Sequence, residues 1–77
     1  MQRKSELTDI VRRFGRLEGI ATADAVTADG ERVSCTELRI RLREDASLEE
    51  LVILLRMSGF RVESLSKRGL KVKIIIA

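Results

Sequence analysis

Leu38, Ile40 and Leu42 alternate without a break with Glu37, Arg39, Arg41 and Arg43 along the segment TELRIRLR. At the end of the chain Leu70, Val72, Ile74 and Ile76 alternate in the same way with Lys71, Lys73, Ile75 and Ala77. A period of two sends successive side chains to opposite faces of a pleated strand, so each segment is a strand with one apolar face and one polar or cationic face. A one-residue slip would exchange the two faces, so burial fixes the register. Both strands need a cover for their apolar side, and the last, being the more apolar, is expected in the centre of the sheet.

The rest of the chain supplies that cover as two helices. Ser47 and Glu50 form a Ser-x-x-Glu capping box, in which hydroxyl and carboxylate each satisfy an orphan amide. Leu48, Leu51, Val52, Leu54 and Leu55 follow, Gly59 takes the left-handed C′ position, and Phe60 is placed to pack on Leu55. Upstream, Ser5 caps a helix whose Leu7, Ile10, Val11, Phe14 and Leu17 recur at the spacing of one buried stripe. This reading carries the first helix to about Glu18, with Gly19 as its C′ stop and Ile20 folding back. Gly15 then lies inside the helix, where glycine costs about 1 kcal/mol relative to alanine, and is read as allowing a close helix contact.

Strands fill the remaining stretches. Ile20 to about Thr27 alternates loosely and leads through ADGE, residues 28–31, whose Asp-Gly joins antiparallel strands. After Phe60 and Val62 the alternation slips between Glu63 and Leu65, the mark of a bulge or an edge strand, and KRG, residues 67–69, is read as the last turn. The order is helix-strand-strand, twice. It predicts a two-layer α+β sandwich with both helices on one face of a four-stranded, antiparallel-rich sheet. Strands two and four would be central, and any crossover joining parallel neighbours would be right-handed. This is a ferredoxin-like plan entered at its first helix, a circular permutation in the order αββαββ.

Residues 1–77 can form only one domain, and a fold this small buries little surface and gains from assembly. Charged residues make up 35% and hydrophobic ones 44%, a globular balance. No apolar run approaches the roughly 18 residues of a membrane span, so the chain as given reads as soluble, either complete or as a piece of a longer protein. The chain has no His, Tyr, Trp or Pro. It therefore lacks the usual general base, the commonest metal ligand and the aromatics that stack on bases. No catalytic residue, metal ligand or cofactor-binding residue is assigned, no cofactor or small-molecule substrate is expected, and the domain reads as non-enzymatic.

Cys35, the only cysteine, reads as a small residue at the start of a strand rather than a nucleophile. The pairs Glu44-Asp45 and Glu49-Glu50 read as helix-start charges rather than acid-base or metal groups. The five glycines form no phosphate-binding motif.

Two surfaces are left to interpret. Lys and Arg number 15 against 12 Asp and Glu, a net charge of +3, and Arg39, Arg41, Arg43, Lys71 and Lys73 are expected together on the open sheet face. Like charges side by side repel, so this basic face asks for solvation, an acidic partner or a phosphate backbone. Phe14 and Phe60 both read as buried, which argues against base stacking and so against a nucleic-acid partner. In the first strand, one phase turns Ala21, Ala23 and Ala25 outward with Ile75. The other turns Ile20, Thr22, Asp24 and Val26 outward and buries the alanines. The sequence leaves both phases open.

With this plan in place, ELTDIVRRFGRLEGI, the ADG hairpin and LEELVILLRMSGFRVESLSKRGLKVKIIIA resemble the periplasmic ferredoxin-like domains of bacterial inner-membrane platform proteins. These are GspL and GspM of the type II secretion system and PilN and PilO of type IV pilus assembly. The likeness covers nearly the whole chain and rests on element order, helix-Gly-apolar joints and lengths. It implies a homodimer or pairing with a sister platform subunit, and a periplasmic domain of an inner-membrane protein whose anchor lies outside this chain. Contacts would run along helix one (Arg12, Arg13, Arg16), helix two (Glu49, Arg56) and the first hairpin (Ala23, Ala25). The lone Cys35 departs from what an oxidising periplasm favours. VRRFGRLEGIATADAVTADGERVS also looks like the opening of a Roadblock-type cytoplasmic scaffold for small GTPases, although the second helix is short for one. A ligand-regulated module of the ACT type shares the sheet, and a nucleic-acid binder is supported only by the Arg/Lys stripe.

Overall fold

A computed structural model describes residues 3–77. The chain runs α1 (Arg3–Arg12), β1 (Gly15–Val26), β2 (Arg32–Leu42), α2 (Leu48–Met57), β3 (Val62–Arg68) and β4 (Lys71–Ile76). The result is an α+β fold with one four-stranded sheet in the order β1-β2-β4-β3, antiparallel at all three pairings. No two neighbouring strands are parallel among the described residues, but β2 and β3 run parallel with β4 between them, and α2 is the crossover that joins them. β2 and β4 are central, and β1 and β3 are the edges.

One hydrophobic cluster holds the layers together. Leu7, Ile10 and Val11 from α1 and Leu51 and Leu55 from α2 meet Leu38, Ile40 and Leu42 of β2, Val72, Ile74 and Ile76 of β4, and Phe60. The strand contributions are all of one parity, so both helices lie on the same face of the sheet.

α2 follows its expected plan closely. The Ser47 hydroxyl accepts from the Glu50 amide at 3.3 Å, although the Glu50 carboxylate makes no reciprocal bond, so only half of the capping box forms. At the other end Phe60 N–H donates to the Leu55 carbonyl and Gly59 N–H to that of Arg56, each at 3.0 Å. Gly59 sits at φ 90. These are the paired bonds of a Schellman stop, and they bring Phe60 into the core beside Leu55.

The first helix departs from its expected bounds. Its described span is Arg3–Arg12, so Ser5 lies within it rather than capping it, and it ends at Arg12 rather than near Glu18. Phe14 and Leu17 still pack on the core, but from a turn and from β1. Residues 15–17 gain more by pairing with β2: Gly15, Arg16 and Leu17 stand opposite Leu42, Arg41 and Ile40. Gly19 is therefore a strand residue beside a β-bulge at Glu18 and not a helix stop, and β1 starts five residues before the expected Ile20.

The hairpins are close to expectation. Residues 27–31 join β1 to β2, with Gly30 at φ 82 and the Gly30 amide donating to the Thr27 carbonyl at 2.9 Å. β3 has its bulge at Glu63 and is an edge strand. Its turn is Gly69-Leu70, with Gly69 at φ 61, so Lys67 and Arg68 belong to the strand.

Candidate functional site

The open face of the sheet, opposite the helices, holds both surfaces singled out above, and the pairing register lays it out row by row. Arg16 of β1 stands opposite Arg41 of β2, Arg41 opposite Lys71 of β4, and Lys71 opposite Arg68 of β3. The next row along the strands is Gly19, Arg39, Lys73 and Ser66, and the one after it Ala21, Glu37, Ile75 and Ser64. Beyond Thr36, β4 has ended, and β1 and β2 continue alone as a two-stranded arm in which Ala23 pairs with Cys35 and Ala25 with Val33. The face is thus graded, with a basic band over the four strands and an apolar strip running out along the arm.

The basic band is not the set expected. Arg39, Arg41, Lys71 and Lys73 are there, exposed and in register. Arg43 is not. It lies past the end of β2, its guanidinium donates to the carbonyls of Arg12 (3.3 Å) and Arg13, and it stands 3.8 Å from the Asp45 carboxylate. There a cation answers the negative end of α1. Arg16 and Arg68 take its place on the face. Reading Arg16 as helical and Arg68 as a turn residue hid both, and only the ends of β1 and β3 reveal them.

Charge in the band is poorly compensated. Arg16 pairs with Glu18 at 3.5 Å, but among the described residues no ion pair reaches Arg39, Arg41, Arg68, Lys71 or Lys73. The Arg39 guanidinium lies over Gly19, where an added Cβ would meet its Nη2 at 2.8 Å. Glu18, Arg39, Ser66, Arg68, Lys71 and Lys73 line a groove across the sheet.

The arm settles the open phase. Ala21, Ala23 and Ala25 share the parity of Glu37, Cys35 and Val33 and so lie on the helix-free face, half-buried, with Ile75. Ile20 packs against the core instead. Cys35 is 4% exposed and is the fourth residue of β2, three residues in from its start. It lies on this same face, outside the core cluster.

Nothing in this chain is matched. No protein-family model matches it, and no curated protein or solved structure matches it significantly.

The expected interface residues do not converge on one surface. Arg12 and Arg13 are exposed at the end of α1, Glu49 and Arg56 are exposed on α2, and Arg16, Ala23 and Ala25 lie on the open face of β1. Among the described residues no three acidic, cysteine or histidine side chains come together as metal ligands. Every charged side chain described is at least partly exposed, and no helix is long and apolar enough to cross a membrane. On α2, Ile53 and Met57 are exposed apolar residues one turn apart.

Proposed function

We propose that this is a non-enzymatic protein–protein interaction domain that pairs with a second copy of itself, or with a sister subunit, through the open face of its β1–β2 arm. The observation that carries the reading is the arm. A two-stranded ribbon is marginal in water by itself, yet this one extends past the sheet with Ala23, Ala25 and Val33, next to Ala21 and Ile75 of the sheet's last row, on a face that no helix covers. A partner laid on that strip would bury apolar surface and hold the ribbon.

The charge gradient favours one geometry. Full overlap of two open faces would press the basic bands together. A two-fold axis near Ala23 would instead set arm against arm and leave the bands at opposite ends of the dimer. The order β1-β2-β4-β3 is the one a ferredoxin-like sheet takes when its chain begins at the first helix, and it supports a place among the secretion or pilus platform domains that the sequence resembles.

Sedimentation velocity over a wide concentration range tests the pairing. A dimer that Ala23→Asp converts to monomer is the expected result. A strict monomer at high concentration that also fails to bind platform subunits in pull-downs sinks the reading. Immunoblots of fractionated source cells test the setting: a membrane-bound band supports the platform, and a soluble one supports a cytoplasmic scaffold.

A further inference from the structure

We infer that the basic band is a docking surface for the phosphate backbone of nucleic acid, contacted without reading the bases. This goes beyond the pairing proposed above, uses a different part of the face, and belongs to the cytoplasmic setting that a soluble band in fractionated cells would show, not to a periplasmic platform. Arg16, Arg41, Lys71 and Arg68 form one cationic row across all four strands, and Arg39 and Lys73 form a second. Neighbouring strands lie about 4.8 Å apart, so the longer row spans about 14 Å, and the rows are about 7 Å apart along the strands. One strand of a duplex presents a phosphate about every 3.4 Å of axis, so about four fall within that span.

Like charges directly opposite on a sheet destabilise it. Among the described residues the repulsion is relieved only at the margin, by Glu18 beside Arg16, while Glu37 stands a row away from Arg39 and Lys73. An external anion would supply the missing charge along the whole row.

The make-up of the band separates a nucleic acid from an acidic protein. The core of a protein–protein interface is enriched in apolar and aromatic anchors and depleted in lysine. These two rows hold four arginines or lysines in one and two in the other, with only Gly19 and Ser66 beside them. Nucleic-acid interfaces are more polar and much more positive. Phe14 and Phe60 are both committed to the helix side, so no ring is available to stack on a base. Contact is therefore with the backbone, and it is independent of sequence.

The test is fluorescence anisotropy with a labelled 20-base-pair DNA duplex of mixed sequence, titrated between 50 and 200 mM NaCl. Binding should weaken with salt, with a log–log slope of about −4 for four phosphates. The double variant R41Q/K71Q should bind at least about tenfold more weakly at 50 mM and flatten the slope by about two. R12Q/R13Q removes the same charge at the end of α1 and should change little. Thermal melting followed by circular dichroism should show R41Q/K71Q at least as stable as the parent, since it removes a repulsion. No binding at 50 mM, equal loss in both double variants, or labelled poly-glutamate held as tightly as the duplex would each overturn the proposal.

Discussion

Gly15 lies directly against the backbone of Arg41: a Cβ added to Gly15 would run into the Arg41 carbonyl oxygen and stand 2.8 Å from the Leu42 Cα. This close approach lets β1 and β2 pair down to Leu42 and ends α1 early. It predicts a contrast between two glycines. Gly15→Ala should cost about 1–3 kcal/mol as an overpacked contact with immovable backbone. Gly19→Ala meets only the far end of the Arg39 side chain and should stay within about 0.5 kcal/mol. Urea unfolding followed by circular dichroism measures both, and equal losses would mean that the approach at Gly15 is misassigned.

The core is small enough for single truncations to matter. Leu51 and Leu55 are fully buried, and replacing either with alanine should cost about 2–5 kcal/mol. A chain of this length has roughly 4–12 kcal/mol in total, so either variant should be largely unfolded at moderate urea. Ile53→Ser on the same helix removes an exposed side chain, and its urea midpoint should stay close to the parent's.

α2 is held at both ends by local bonds, and these can be removed one at a time. Ser47→Ala takes away the acceptor for the Glu50 amide and should cost about 1 kcal/mol. Gly59→Ala forces a Cβ into a position at φ 90 and should cost about as much or more. Differential scanning calorimetry would show a lower melting temperature for each, with near-additive effects in the double variant because the sites lie at opposite ends.

Cys35 should be a slow thiol. It is 4% exposed, although it lies on the helix-free face. Its reaction with an aromatic disulfide reagent should be at least about a hundredfold slower in buffer than in urea, because the arm must open first. Comparable rates in the two solvents would show that the arm is not paired as described.

At α2 most of the governing interactions are local, and there the sequence carried them. Ser47, Gly59 and Phe60 sit within one or two turns of what they contact, and α2 with its two ends was legible from spacing alone. The alternation in β2 and β4 likewise announced a half-covered sheet with those strands in the centre. The end of α1 was not legible, because Leu7, Ile10, Val11, Phe14 and Leu17 satisfy the helical period whether or not the last two are helical. What decided it was a β2 backbone some 26 residues away in sequence and the side chain of Arg43.

The face followed the same division. Alternation, with strands two and four taken as neighbours, put Arg39, Arg41, Lys71 and Lys73 on a common surface. Only the pairing of strands distant in the chain could add Arg16 and Arg68, remove Arg43, and turn the alanines away from the helices. A two-residue period fixes which side chains share a face, whereas which strands lie beside one another, and where each one starts, depends on contacts the period cannot contain.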